Sequence, residues 1–280
     1  MTAATRAAAP ALLAAVAMAA CAAPSRRLTP RIVEDPIVLP RRMASLSAGG
    51  FVAHYEPTGA RRGNALLRFR YAFTDRLEWV DLLSLRYALL DDRPADGRPA
   101  RPISLAVRAG VTGVGYSSFE GFVVLPVASV EGLKRIGDRW ALELAVDWSA
   151  QWVQRRSFVS LPPYSSTLGY AGNPASSLVV RGGVTRQLAG RVALRASASV
   201  IQTAGCLTPT CAWVSRGAVA ALKVSVRPSH WVTLAVGPYV GVRYLPDGPL
   251  TPPANPTAPV VIPLRQVEWV GLEATLAFYW

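Results

Sequence analysis

Beyond its first twenty residues the sequence has no long apolar run, and this absence excludes a helical membrane protein. A membrane-spanning helix needs about 20 consecutive apolar residues, and no stretch after residue 21 supplies them. Yet 51% of the 280 residues are hydrophobic, a high share for a soluble domain. The apolar residues alternate with polar ones, which predicts strands with one apolar face.

Histidine is also scarce, which argues against most catalytic and metal sites. His230 lies beside a proline in a predicted turn, where a solvated residue is expected, and His54 lies in the first predicted strand. No phosphate-binding loop, zinc motif or dinucleotide fingerprint is present. We therefore expect no catalytic residue, no metal and no cofactor.

The N-terminus and the three cysteines indicate export. Residues 1–20 carry one basic residue, an apolar run and small residues at its end, which predicts a signal peptide. Cys21 follows Met18-Ala19-Ala20, which looks like a lipobox and predicts lipidation of Cys21; ordinary cleavage near Ala17-Met18-Ala19 is the alternative. Cys206 and Cys211 lie close together in a loop-like segment, so an oxidising compartment predicts a disulfide between them. The proline-rich and charged residues 21–45 predict a periplasmic tether.

Strand periodicity then repeats along the remainder of the chain. The predicted strands are residues 46–57, 64–73, 77–90, 102–113, 122–136, 140–156, 177–188, 191–202, 217–229, 231–245 and 264–280. Some are joined by tight turns, such as 74–76 and 137–139. Others are joined by long connections, which we expect on the opposite side: 91–101, 157–176, 203–216 and 246–263.

The C-terminal strand carries a resemblance to a known superfamily. Leu272, Ala274, Leu276, Phe278 and Trp280 form an apolar series that ends on an aromatic residue. This ending resembles the last strand of bacterial outer-membrane β-barrels, which the barrel assembly machinery reads. The resemblance implies an all-β chain with a single transmembrane up-and-down antiparallel barrel over residues 46–280, in the bacterial outer membrane, among lipids and lipopolysaccharide. A tethered soluble β-sandwich lipoprotein is the rival interpretation.

The strand count needs one correction, because a bacterial barrel with both termini in the periplasm has an even number of strands. The pattern gives 11. We place the error between residues 91 and 136, where 102–136 makes either three short strands, giving 12 in all, or one, giving 10. We favour 12.

Tryptophans near predicted strand ends fit the two membrane interfaces. Trp79, Trp140 and Trp231 follow tight turns and Trp280 ends the chain, which predicts an interfacial aromatic belt on the periplasmic side. The opposite strand ends carry Trp152, Tyr244 and Trp269, which we expect to form the outer belt.

The net charge of +13 comes mostly from arginines spread singly over strands. A nucleic-acid partner is not expected for an exported protein with this distribution. By alternation the predicted basic lining of the lumen is Arg68, Arg70, Arg86, Arg108, Arg181, Arg195, Lys223, Arg243 and Arg265. Glu78, Glu143, Asp147 and Glu273 share the inner face. The lining predicts either a narrow pore that prefers anions or a lumen filled by ion pairs.

Three functions follow from these alternatives. The first is a small pore or transport barrel for small anionic solutes. The second is a structural or surface-interaction barrel with a filled lumen, which would meet partners through its long loops. The third and weakest is a lipid-modifying enzyme, which would need a serine beside His54 at a spacing that the sequence does not show.

Overall fold

The protein folds into one closed antiparallel β-barrel, seen in a computed structural model. The structure describes residues 27–56, 60–81, 83–94, 99–117, 121–151, 157–161, 165–169, 175–206, 211–246 and 264–280. Twelve strands form the wall, and the barrel closes where β1 (Ala44–Glu56) pairs with β14 (Leu264–Tyr279), from Ser45 opposite Tyr279 to Glu56 opposite Glu268. The predicted 12-stranded barrel is therefore confirmed.

The remaining strands follow in chain order around the wall, except for one small hairpin. Their bounds are β2 Ala60–Ala72, β3 Leu77–Val80, β4 Leu83–Leu90, β5 Ser104–Ser117, β6 Gly121–Ile136, β7 Trp140–Gln151, β8 Ser157–Leu161, β9 Ser165–Gly169, β10 Ala175–Ala189, β11 Val192–Cys206, β12 Cys211–Ser229 and β13 Val232–Pro246. Strands β8 and β9 pair only with each other, and β7 pairs directly with β10 in the wall. A single turn of 3-10 helix, Ile32–Glu34, precedes the barrel.

The distribution of polar and apolar residues is the inverse of that in a soluble barrel. Large apolar side chains lie exposed on the outer surface of most of the described wall strands, for example Leu67, Leu144, Leu222 and Leu272. Side chains at the alternating positions face inward, and many of these are polar. The buried polar residues of the wall are Ser45, Glu78, Ser84, Ser104, Ser129, Ser177, Thr185, Gln187, Ser199, Thr203, Ser225, Arg227 and Arg243. Lipid around the barrel is the environment in which this arrangement is stable.

The two ends of the barrel differ in their connections. The tight turns 73–76, 137–139, 190–191 and 230–231 lie at one end, together with the start of β1 and the end of β14. We call this the turn end, and the other the loop end. Short turns lie on the periplasmic side in outer-membrane barrels.

The twelfth strand arises at a place that the sequence pattern concealed. Residues 77–90, expected as one strand, form β3 and β4, because the chain reverses at Asp81, whose φ is +58°. Residues 104–136 form only the two strands β5 and β6. The expected three short strands over 102–136 are therefore wrong, although the total of 12 is right.

This reversal also moves the connection 91–103 to the turn end. Because β3 and β4 together rise and return, β4 ends beside the tight turns and not among the long loops. There the carboxylate of Asp92 accepts a hydrogen bond from the hydroxyl of Ser104 and pairs with Arg135. The expectation that 91–101 forms a loop on the side opposite the tight turns is wrong.

Candidate functional site

Residues 27–43 fill the turn end of the barrel from inside. We call this segment the plug. Its apolar side chains are buried against Ala72, Ala88, Ala106 and Tyr279 of the wall. The buried members of the plug are Leu28, Val33, Val38, Leu39 and Met43. The extended tether predicted for residues 21–45 therefore differs from the structure over 27–43, where these apolar residues bury themselves in the barrel, and the wall begins at Ala44.

Wall side chains bind the backbone of the plug as they would bind a ligand. Arg135 donates through Nε to the carbonyl oxygen of Val33 (3.0 Å), and Arg70 donates to the carbonyl oxygen of Ile37 (3.3 Å). The backbone N–H of Val33 donates to Oε1 of Gln187 (3.1 Å). Each bond satisfies a buried polar group that water no longer reaches.

The plug crosses the lumen between opposite walls. On one side the backbone N–H of Leu39 donates to Glu78 of β3 (2.9 Å). On the other, Thr29 accepts a hydrogen bond from Arg227 of β12 (2.8 Å), and Gln187 lies on β10. A cavity of about 30 Å³ remains beside the plug, with room for one or two water molecules at most.

One ion pair anchors the middle of the plug. The guanidinium of Arg227 donates to both carboxylate oxygens of Asp35, each at 2.6 Å, and its Nε donates to Thr233 at 2.9 Å. The side chain of Arg227 is 0% exposed and that of Asp35 is 33% exposed. A bidentate pair of this kind is directional and strong, and Arg227 depends on Asp35 for its counter-charge.

Burial inside the barrel raises the pKa of Asp35 above its ordinary value of 3.8, and the bound guanidinium of Arg227 opposes this rise. The docked plug therefore holds a proton on Asp35 more readily than the undocked plug does. By linkage, a fall in pH through the pKa of Asp35 favours docking and a rise weakens it, because the protonated carboxyl avoids the desolvation cost and still keeps an oxygen that accepts from Arg227.

Mild acid should consequently leave the plug in place. Acidification from about pH 7 to about pH 5 adds protons to Asp35 preferentially in the docked form, so the titration of Asp35 does not drive release. Tryptic cleavage after Arg31 or ionic current through the barrel, measured before and after acidification, reports the docked state. A current that appears on acidification and vanishes at neutral pH would contradict this assignment.

A second buried acid organises the wall beside the plug. Glu78 is 0% exposed, and its carboxylate forms ion pairs with Arg70 at 2.9 Å and Arg86 at 2.6 Å. Arg86 also pairs with Glu131 at 2.9 Å. These residues lie on β2, β3, β4 and β6. Two guanidiniums thus share one carboxylate that water does not reach.

The basic residues on β10, β11 and β12 are also paired along the wall. Arg181 reaches Asp147 and Lys223 reaches Glu273, each at 2.6 Å, while Arg195 pairs with Glu143. Each of these pairs, like those around Glu78, joins strands that are neighbours or are separated by one strand. The pairs line the wall without bridging it, so the plug is what closes the turn end.

Three of the basic residues predicted to line the lumen take no part in these pairs. Arg68 is exposed on the inner face of β2 and has no ion-pair partner among the described residues. Arg108 reaches Asp81 at 2.8 Å, and its Nε is buried without a hydrogen-bond acceptor. Arg243 is buried inside the barrel. The side chain of Arg265 lies outside the part of the chain that the structure describes.

An apolar patch on the inner wall escaped sequence analysis. Val179, Ile201, Val219 and Tyr239 are buried together on four consecutive strands, and Trp269 of the fifth packs against them. Trp269 therefore faces the lumen, and its expected place in an outer aromatic belt is wrong. Alternation could have predicted this, because its neighbour Val270 lies exposed on the lipid face, and adjacent residues of a strand point to opposite faces.

Glycines make room for the two rings of this patch. A Cβ on Gly241 would lie 2.3 Å from the Trp269 ring, and one on Gly271 would lie 2.7 Å from the Tyr239 ring. Real Cβ atoms do not approach so closely, so each aromatic ring lies flat over a glycine of the neighbouring strand.

The tryptophans predicted for the periplasmic interface all lie at the turn end. Trp79 meets Phe69 edge to face with ring centroids 5.5 Å apart. Arg186 lies over the Trp140 ring and Arg27 over the Trp231 ring. Trp280 donates its backbone N–H to the carbonyl oxygen of Ala44 (3.1 Å). An interfacial belt of aromatic residues remains our prediction for them.

The predicted modification sites are only partly described. Cys21 and residues 1–20 lie outside the described residues. Cys206 and Cys211 are directly opposite in the β11–β12 register, and such Cα atoms lie about 4.5–5.5 Å apart, within the range of a disulfide. Their side chains are not described, so the disulfide stays a prediction.

His54 lies on β1, opposite Val270 on one neighbouring strand and Arg61 on the other, and its side chain is half-buried. His230 occupies the turn before β13, where its ring contacts that of Trp231 at 4.4 Å between centroids.

Comparison with known proteins places the barrel among low-identity structural neighbours. No family model and no curated protein matches the sequence. OmpT, an outer membrane protein of Vibrio cholerae, is similar with 10% identity and a TM-score of 0.42, covering 85% of this chain and 97% of that one. The NanC porin is similar with 11% identity and a TM-score of 0.40, covering 83% and 98%. Neisserial surface protein A is similar with 12% identity and a TM-score of 0.30, covering 84% and 96%.

The chain's own geometry decides its class. Among the described residues, no helix has the length and apolarity that crossing a membrane requires. Around most of its circumference the closed antiparallel wall has no unpaired strand edge. Its outer surface is apolar and its interior is polar. These three properties together are those of a membrane-spanning β-barrel of the outer-membrane type.

Proposed function

We propose that the protein is an outer-membrane channel for small anionic solutes, held shut by its own N-terminal segment. The observation that carries the proposal is the plug, which spans the lumen from Glu78 on β3 to Arg227 on β12. Ion pairs on the wall join nearby strands only. Withdrawal of the plug therefore leaves a lumen that no named wall pair bridges.

The preference for anions follows from what the plug covers. Its carbonyl oxygens and the carboxylate of Asp35 are acceptors for Arg70, Arg86, Arg135 and Arg227. When the plug leaves, Arg227 loses its carboxylate, and the other three lose neutral acceptors while keeping wall acids. Residues 28–39 of the plug carry Arg31 against Glu34 and Asp35, so a lumen without them is more positive by one unit charge, and a positive lining in a low-dielectric wall attracts anions.

A structural or surface-interaction barrel with a filled lumen is the second candidate. The pairing of Arg181, Arg195 and Lys223 with inward-facing acids favours it. It differs from the channel in one consequence: removal of the plug from a filled barrel opens no path.

Swelling of proteoliposomes tests the proposal. A variant that lacks residues 28–39 should admit a small organic acid about tenfold faster than an organic cation of equal size, because a lumen potential of about one kT gives this ratio between opposite unit charges. The intact chain should admit neither. Heat-dependent mobility on a semi-native gel confirms that the variant is folded. A folded variant that admits no solute, or that admits both ions equally, contradicts the channel.

A further inference from the structure

One strand of the wall is far shorter than its neighbours. β3 has 4 residues, whereas β2 has 13 and β4 has 8. The chain turns back at Asp81, whose backbone N–H donates to the carbonyl oxygen of Phe69 (2.7 Å). β3 therefore rises only about 10 Å from the turn end, in an apolar band about 25 Å tall.

Above this point the wall is laterally open. In the described part of the chain, residues 60–68 of β2 pair with β1 alone, and residues 114–117 of β5 pair with β6 alone. No described strand stands between them, and β2 and β5 do not pair with each other. The opening extends from about the middle of the membrane to the loop end.

Two free strand edges in a membrane need hydrogen-bonding partners. Roughly every second residue of each edge points its N–H and C=O into the opening. Acyl chains cannot bind these groups, and each unsatisfied group in hydrocarbon costs several kcal/mol. What occupies the opening must therefore bring polar atoms to outer-leaflet depth.

The floor of the opening carries excess positive charge. Arg68 follows directly above the last β2–β3 contact, is exposed, and has no ion-pair partner among the described residues. Arg108 lies within electrostatic range of Arg68; Asp81 is the carboxylate that it binds, at 2.8 Å. The Nε of Arg108 is buried and lacks an acceptor. Arg86 and Glu131 also lie in electrostatic range of Arg108 and pair with each other at 2.9 Å, so Arg68 and Arg108 are left with the one carboxylate of Asp81.

The outer flanks of the same opening are strongly apolar. Leu67 on β2 and Leu83 on β4 are each 62% exposed, the highest values among the large apolar residues of the described part. Val52 on β1 is 61% exposed, opposite Gly63 of β2. A molecule at this place therefore meets apolar surface outside the wall and cationic donors inside it.

We propose that the lateral opening between β2 and β5 binds the phosphorylated headgroup of an outer-leaflet lipid. The phosphate oxygens accept hydrogen bonds from Arg68, from Arg108 and from the free backbone N–H groups. The acyl chains stay outside, against Leu67 and Leu83. Lipid is the occupant that the charge and the apolar flanks favour together, since a polypeptide strand would fill the edges without needing the arginines. This inference does not depend on whether the plug gates a channel.

Native mass spectrometry of the detergent-purified full chain tests this proposal. The probes are phosphatidic acid and phosphatidylcholine with identical acyl chains. The protein should retain one phosphatidic acid at a roughly tenfold lower lipid concentration than phosphatidylcholine, because the phosphomonoester has three free oxygens and a net negative charge, whereas choline neutralises the phosphodiester. Arg68→Gln should lose most of this preference.

Arg195→Gln is the matched control. Arg195 is also an exposed inner arginine, but it lies on β11, nearly opposite β2 in the wall, so its loss should leave the preference unchanged. Arg108→Gln is the second variant, and it should act like Arg68→Gln. Any one of four results would overturn the proposal. These are equal retention of both lipids, a preference that survives in both variants, displacement of the lipid by inorganic phosphate alone, and a co-purified polypeptide in the opening.

Discussion

Asp35→Ala should release the plug while leaving the barrel wall folded. The substitution removes the carboxylate that binds the fully buried guanidinium of Arg227 through two hydrogen bonds of 2.6 Å. Breaking a buried pair from one side costs about 3–5 kcal/mol. Because the Asp35 side chain is 33% exposed, we expect about 3 kcal/mol, the lower end of that range.

Trypsin provides the measurement, because cleavage after Arg31 requires the plug to leave its site. When docking is fast compared with cleavage, the cleavage rate follows the undocked population, which about 3 kcal/mol raises roughly a hundredfold. Glu34→Ala is the matched control. Glu34 neighbours Asp35 but reaches Arg31 and Arg93 only at 3.6 Å, so its loss should cost under about 1 kcal/mol. Equal cleavage rates in the two variants would show that Asp35 does not anchor the plug.

Glu78→Ala should destabilise the barrel itself. Its carboxylate is 0% exposed and binds Arg70, Arg86 and the backbone N–H of Leu39. The substitution leaves Arg70 without its carboxylate and a backbone donor unsatisfied, in a place that water does not reach. We expect a loss of about 3–5 kcal/mol in the free energy of unfolding. The measurement is the urea midpoint at which the heat-modifiable form disappears on a semi-native gel.

Glu131→Ala is the control for that variant. Glu131 also pairs with Arg86, at 2.9 Å, but Arg86 keeps Glu78 when Glu131 is removed. No guanidinium is left without a carboxylate, and we expect about 1.5 kcal/mol. A Glu78→Ala midpoint equal to that of Glu131→Ala would mean that the shared carboxylate has no special role.

Strand periodicity was enough to predict the barrel, because lipid outside and polar groups inside impose an alternation of period two on every wall strand. The strand β14 shows this most clearly, with Val270, Leu272 and Phe278 exposed. The same signal could not reveal the break at Asp81. Residues on both sides of it keep the alternation, and a reversal by one positive-φ residue leaves no pattern in the sequence.

The plug escaped prediction for a different physical reason. Its prolines and charges, which indicate an extended linker, serve here to keep residues 27–43 irregular, so that their carbonyl oxygens stay free for arginines of the wall. Ion pairs between residues far apart in the sequence, such as Asp35 and Arg227, form because the closed barrel brings the two side chains together. Alternation predicted which arginines face inward but not which acceptor each would meet.

The current through single proteins in a planar bilayer tests the central claim most directly. The intact chain should hold the baseline current, and the variant without residues 28–39 should conduct, with a reversal potential in a salt gradient that shows a preference for anions. A folded intact chain that conducts as well as the deletion variant would contradict the claim that residues 27–43 close the barrel.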